Sequence, residues 1–369
     1  MNTRGRALGA LAACLRAGPD LAGEPFPAVA DEDWTAILAL ANEHLITATL
    51  YRALLPHRSA VPAEVWSYLE LLHAANCRRN RAIRRQTLQI VRALNAAGIE
   101  PMLLKGVLMT LAERRFDKGA RMMADIDVVV PADACQTAVA VLVGLGYEPH
   151  RTFPQGHHAV AEYVRAGHPA AVDLHVELID QKYVLPAAEL WADAERRRAA
   201  GGGSYRVPSP THRVFHNILH AQVHYRGGYY RGELDLRQLF ELAFLARVYE
   251  RRIDWQGIAE RMKAHRIEPM LHSYVANAHC LLGTAWPLGQ RVSRRARFHA
   301  WRCRWQVHHP LFARATLPWA NARAAFAWHR MAALYRSAGG TPLGWRVRHM
   351  HSVLSRHRAS FFLDRLFRL

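Results

Sequence analysis

Asp125-Ile-Asp-Val-Val-Val130 alternates acidic and apolar side chains, is rich in β-branched residues, and is closed by Pro131. That is the pattern of a short strand. Successive side chains of a strand leave on opposite faces. Asp125 and Asp127 therefore share one face, and Ile126, Val128 and Val130 the other. Two carboxylates side by side on a buried strand repel each other and are costly to desolvate, so they call for a divalent cation or basic partners. Oxygen donors at this spacing suit Mg²⁺, which keeps several waters and takes further ligands from phosphate. The bland alternative is a strand end with two solvated acids.

Working outward, Val172-Asp-Leu-His-Val-Glu-Leu178 alternates in the same way and predicts a second strand with Asp173, His175 and Glu177 on one face. A third carboxylate from a neighbouring strand is what a two-metal phosphoryl- or nucleotidyl-transfer site requires; a merely polar strand face would look alike. Upstream, the apolar run Ile99–Leu104 is broken by Lys105-Gly106, and Val107–Arg115 reads as a helix. Glycine lets backbone approach a phosphate, and a following helix start aims free N–H groups at it. Lys105 is one of only four lysines among 49 basic residues, which suggests a point charge for phosphate; a simple strand-to-helix turn is the alternative. Ala132–Leu145 reads as a helix closed by Gly144-Leu-Gly-Tyr147, and Ala159–Arg165 as another strand, so residues 98–182 form a small α/β unit.

Helical patterns flank this unit. In residues 1–97, Asp31 or Asp33 can cap a helix, Pro62 suits a first turn, and Val65, Leu69, Leu72, Ile83, Ile90 and Leu94 keep helical spacing up to Gly98. Gly201-Gly-Gly-Ser204 reads as a flexible hinge. Helices expected at 211–225, 233–250, 254–265 and 269–283 make a C-terminal helical domain over 205–288. His212, His216, His220 and His224 recur every four residues and share one helix face. Without an H-E-x-x-H pattern, a polar face lining the cleft is the better reading than a transition-metal site. The expected fold class is α+β.

The 369 residues carry 49 Lys plus Arg against 30 Asp plus Glu, a net +19, and their 51% hydrophobic content excludes wholesale disorder. The charge is concentrated: the extension over 289–369 holds 16 Arg, no Lys and one acid, Asp364, with seven His and five Trp. The body is thus nearly neutral. Arg with aromatics suits nucleic acid, an anionic membrane surface or an acidic protein partner. Five scattered cysteines without C-x-x-C suit a reducing, cytoplasmic setting and argue against a disulfide framework. Arg4, Arg6 and Ala7–Leu15 imitate a secretory leader, but Arg16 cuts the apolar run short, so an amphipathic helix is expected.

Taken together, Leu103-Leu-Lys-Gly106, Arg121 four residues before Asp125-Ile-Asp127, Gly146-Tyr147, His157-His158 and Val172-Asp-Leu-His175 resemble the uncharacterised nucleotidyltransferase-like family of bacteria, within the polymerase-β-like nucleotidyltransferase superfamily. The likeness extends over about residues 30–285, through Gly98-Ile99, Leu234-Asp-Leu-Arg-Gln-Leu239 and Ile253-Asp-Trp255. The resemblance implies a minimal nucleotidyltransferase core between helical regions. It implies Asp125 and Asp127 as paired metal ligands, and Asp173 as the third carboxylate, a ligand or a base. Gly106 would form the nucleotide-binding turn, with Lys105, Arg121 and His175 beside the nucleotide. It further implies two Mg²⁺ ions and transfer from a nucleoside triphosphate to a hydroxyl of a small molecule, peptide or RNA. The superfamily's usual Gly-Ser is here Lys-Gly followed by Val107, so a serine hydroxyl is missing and Lys105 stands in its place. The competing readings are a non-catalytic nucleotide-binding or adaptor protein docking through its basic extension, and a related phosphotransferase.

Overall fold

The computed structural model describes residues 3–113, 115–154, 157–199, 201–224, 228–289, 292–335 and 339–356. The chain is α+β. Helices Thr3–Ala17, Trp34–Glu43, Thr47–Leu54 and Ala63–Ala96 come first. The last of these, 34 residues and about 51 Å long, buries Val65, Leu69, Ile83, Ile90 and Leu94 at helical spacing. It ends where Gly98 takes a left-handed φ of 78°.

A seven-stranded mixed sheet follows: β1 (Met102–Leu103), β2 (Asp125–Val129), β3 (Glu148–Thr152), β4 (Ala159–Val164), β5 (Ala171–His175), β6 (Glu195–Arg198) and β7 (Ser204–Val207). Their order is β3-β4-β5-β2-β1-β7-β6. The central pair β2 and β5 is parallel, with Asp127 opposite Asp173 and Val129 opposite His175. Ile126, Val128, Val129, Val172 and Leu174 are fully buried, which is why this pair holds the middle.

Three expectations need correction. The helix placed over Val107–Arg115 runs Lys105–Leu111, so Lys105 is its first residue. Glu177 does not share the strand face with Asp173, because β5 ends at His175. The amides of Val176 and Glu177 both turn to the His158 carbonyl, and the Glu177 carboxylate accepts from the Ala187 amide at 2.9 Å, tying down the start of helix Ala187–Asp193. The glycine run is no hinge. Gly201, Gly202 and Gly203 all have positive φ and turn the β6–β7 hairpin, and β7 then pairs parallel with β1. The sheet therefore takes in two strands from beyond residue 182.

The later helices are Pro210–Gln222, Leu236–Val248, Trp255–Ala264 and Glu268–Leu282, close to the expected spans. Asp235 sets the start of the second by accepting from the Gln238 amide at 3.0 Å. Their apolar faces join those of the N-terminal helices in one core, where Leu8, Leu11 and Leu50 pack with Leu239, Phe244 and Leu271. A second core lies between the long helix and the sheet, with Ile83, Ile90 and Leu94 against Ile126, Leu142 and Val172. The basic extension is helical over Arg294–His308, Pro310–Ala325, Trp328–Tyr335 and Pro342–Arg356. No described helix is long and apolar enough to cross a membrane.

A polar stripe on the long helix positions the strands. Asn76 and Asn80 are buried, and both donate to the Arg121 carbonyl, at 3.0 and 2.8 Å; Asn76 also reaches Gly119 and Asn80 reaches Lys118. Arg79 donates to the carbonyls of Met123 and Pro169, and Gln86 to that of Ala170. These bonds fix the entries to β2 and β5. Removing one donor strands buried carbonyls, at about 1–3 kcal/mol. Asn80→Ala should lower the unfolding free energy from urea titration by about that amount, seen as a lower midpoint with an unchanged slope; a change within about 0.5 kcal/mol would show that the stripe does not hold this turn.

Candidate active site

The register of β2 and β5 places two acids side by side in the sheet interior. Asp127 is 1% exposed, and its Oδ1 accepts from Lys105 Nζ at 2.5 Å and lies 3.3 Å from His175 Nε2. Burial works against ionising Asp127, but the Lys105 ammonium and the His175 ring outweigh it and hold the carboxyl well below the usual range. Asp127 is therefore an anion. Burial likewise works against the Lys105 ammonium, and Asp127 and Asp125 outweigh it, so the amine stays charged.

Asp173 behaves in the opposite way. Burial first, then the charges of Asp127 and Asp125, push it up to about 7. Its buried Oδ1 has no hydrogen-bond partner among the described residues. Asp125, at the half-buried start of β2, is raised mainly by the Asp127 charge and then by burial. His175 is lowered by burial despite its bond to Asp127. Asp127, Asp173 and His175 offer ligand atoms that all lie within 4.8 Å of one another. Two repelling carboxylates, one with an orphaned oxygen, fit a divalent cation. Asp125 stands outside this group of three and faces the neighbouring cavity instead.

Lys105 reaches Asp127 because of an unusual backbone. Its φ is 49°, a left-handed conformation that costs a non-glycine residue about 1–2 kcal/mol. The sequence places that freedom at Gly106, but the structure uses Gly106 differently. A Cβ there would sit 3.3 Å from the Met123 side chain and 3.7 Å from Arg121 Cζ. The glycine lets these two residues pack against the first helical turn.

A cavity of about 270 Å³ opens between this turn and the helical domain. Lys105, Gly106, Arg121 and Asp125 line one wall, and His216, His220, Arg237 and Glu241 the other. Arg121 is committed within the protein: its Nε donates to Glu241 at 3.1 Å and its Nη1 to the Met122 carbonyl at 2.7 Å. Arg237 is more loosely held, 3.9 Å from Asp235, and also donates to the Met122 carbonyl at 3.2 Å. Burial, then the nearby Arg121, lowers its guanidinium.

The histidine stripe lines the cavity through His212, His216 and His220. Burial pushes His216 down to about 3 and His220 well below its ordinary value, so both are neutral hydrogen-bonding groups. His220 Nδ1 is 2.9 Å from Gln238 Oε1, whereas His212 turns to Asp193. The sequence did not single out Glu241. Its signal is faint, one helical turn after Arg237, and its partner Arg121 is 120 residues away.

Acids converging on a lysine-bearing turn, with a partly cationic cavity beside them, are the equipment of a transferase. The chain belongs to the uncharacterised nucleotidyltransferase family, whose model matches residues 30–283. No curated protein matches the chain. The basic extension lies beyond the matched residues.

Asp173 gives the site a pH signature. In the unfolded chain it ionises near pH 4, and in the metal-free fold near 7, so between these values the folded state binds the extra proton. This carboxyl therefore makes stability fall as pH rises through that window. With chelator present, Asp173→Asn should gain stability relative to the parent from about pH 4 to about pH 7 in urea titrations. A difference that stays flat would return Asp173 to an ordinary carboxyl.

Proposed function

We propose that this protein is a Mg²⁺-dependent nucleotidyltransferase of the polymerase-β-like kind, moving a nucleotidyl group from a nucleoside triphosphate to an acceptor hydroxyl. The observation that carries this reading is the Asp127–Asp173 pair on adjacent parallel strands, one oxygen of which is buried and unpartnered. Asp127 and Asp173 would hold the first ion, and Asp125 a second at the cavity wall. Bound Mg²⁺ supplies positive charge to the attacking and leaving oxygens.

The rest falls to the chain's own residues. An acceptor hydroxyl attacks the α-phosphorus, the bond from that phosphorus to the oxygen bridging to the β-phosphate breaks, and pyrophosphate leaves. Asp173, whose Oδ1 is unpartnered among the described residues, completes the ion's ligands or accepts the hydroxyl proton. Lys105 supplies the phosphate contact that the missing serine would have made. Arg237 adds a second cation to the same cavity, and Arg121, braced by Glu241, shapes the wall. His175 keeps Asp127 oriented. The acceptor class remains a small molecule, a peptide or an RNA. The extension is a docking element for an anionic surface, nucleic acid or acidic protein. The free cysteines fit a cytoplasmic setting.

A second reading rests on one observation. Lys105 neutralises Asp127 from within the chain, which suits nucleotide binding without turnover. Full-length protein with the four triphosphates, Mg²⁺ and cell extract separates the two by mass spectrometry. Transfer adds a nucleoside monophosphate mass to one acceptor and releases pyrophosphate. A phosphotransferase would release a nucleoside diphosphate instead. Asp125→Asn, in the half-buried position, should cut turnover about 100-fold or more, roughly 3 kcal/mol of barrier, with an unchanged circular-dichroism spectrum. Full activity in both Asp125→Asn and Asp127→Asn would sink the metal-site reading, and nucleotide binding with no transfer would favour the adaptor.

A further inference from the structure

A second group of ligating side chains lies on the far side of His175 and takes no part in the chemistry above. His157 and His158 sit in the lead-in to β4, and Asp180 in the turn beyond β5. His158 Nδ1 is 2.7 Å and His157 Nε2 3.6 Å from the same oxygen, Asp180 Oδ1. The potential ligand atoms of the three residues all lie within 4.8 Å of one another. His224, just past helix Pro210–Gln222, meets the His158 ring edge-on with centroids 4.5 Å apart. Its Nδ1 is buried and has no hydrogen-bond partner among the described residues.

We propose that His157, His158 and Asp180 form a binding site for a divalent transition metal of the zinc class, with His224 as the adjoining imidazole. The donor chemistry separates it from the acid site. Two carboxylates suit a hard ion such as Mg²⁺, whereas imidazoles with one carboxylate suit Zn²⁺ and its neighbours. The spacing is near what is needed, because tetrahedral ligands at 2.0–2.1 Å from zinc stand about 3.3 Å apart. A few tenths of an ångström of adjustment brings the 2.7 and 3.6 Å separations to that value.

The surroundings support ligation. His157 Nδ1 is 3.2 Å from the Ala159 carbonyl and 3.1 Å from its amide, so either tautomer finds a partner. The Nδ1–H tautomer donates to the carbonyl and turns the Nε2 lone pair toward Asp180, the outer-shell arrangement of metal-bound histidines. Phe153 stacks on the His157 ring at 4.4 Å and fixes its plane. Half-exposed Asp180 leaves an entry path from solvent.

The ligands come from two segments that the Val176 and Glu177 amides already tie to the His158 carbonyl, and His224 follows the helix Pro210–Gln222. His158 also stacks on His175, with centroids 5.4 Å apart. The ion therefore acts as a clamp at the back of the acid site, holding the wall behind His175.

The test uses full-length protein stripped with a chelator and titrated with Zn²⁺ in excess Mg²⁺, so that hard-ion sites are occupied. Calorimetry should find a zinc site that Mg²⁺ does not block, and Co²⁺ in its place should give visible d–d absorption. His157→Gln and Asp180→Asn should each weaken Zn²⁺ about 10- to 100-fold or more and remove the Co²⁺ band, while Asp173→Asn keeps both. Zinc should also raise the melting temperature of the parent protein but of neither clamp variant. The proposal is overturned if both clamp variants bind Zn²⁺ like the parent, or if Asp173→Asn abolishes binding while they retain it.

Discussion

An anionic carboxylate that is 1% exposed needs a cation beside it, and the ion pair of Asp127 with Lys105 meets that need. Removing one partner of such a pair costs about 3–5 kcal/mol, because the other is left charged and desolvated. Much of the local geometry follows from this pair. β1 lies antiparallel to β2, with Leu103 opposite Val128 and the Leu104 amide bonded to the Asp127 carbonyl at 3.2 Å. That register sets Lys105 at the level of Asp127. The left-handed turn at Lys105 then points the ammonium inward, and the missing side chain at Gly106 admits Met123 and Arg121. The pair also divides labour among the acids: with Asp127 held ionised, its charge helps to keep the proton on Asp173.

The central strands were legible because alternation leaves a mark in any strand with one polar and one apolar face. The acids on β2 and β5 could thus be assigned to faces from the sequence. Their register could not, since no residue pattern states that Asp127 stands opposite Asp173. Two of the strands that the sequence does not announce, β3 and β6, lack alternation for physical reasons. Every residue of β3 is exposed at the sheet edge, and Glu195-Arg-Arg-Arg198 in β6 buries no apolar side chain. Pairing with β4 and β7 makes them strands. Glu177 misled because the strand pattern continues in sequence past the point where the backbone turns away. Arg121 stands out in the sequence and lines the cavity, but its tie to Glu241 is a tertiary contact without local signal.

The cavity has two unlike walls. The sheet side carries Asp125 and Lys105, whose charges respond to one another. The helical side carries His216 and His220, which burial keeps neutral across the physiological range. Neutral imidazoles offer one donor and one acceptor each, and His220 commits its Nδ1 to Gln238. The helical side also carries Arg237 and Glu241, so charged groups stand on both sides of the same space.

The place of β1 has a consequence for synthesis. Its two residues lie between β2 and β7, and β7 comes from the hairpin turned by Gly201–Gly203, with Met102 paired to Arg206. At about 5–20 residues per second, the ribosome needs about 5–20 s to travel from the one to the other. Through most of that interval a nascent chain carries β2 and its acids while one flank of β1 has no neighbour. Completion of the sheet is therefore a late, long-range event in the life of the chain, and a product truncated before the hairpin would carry Asp125, Asp127 and Asp173 on an unfinished sheet.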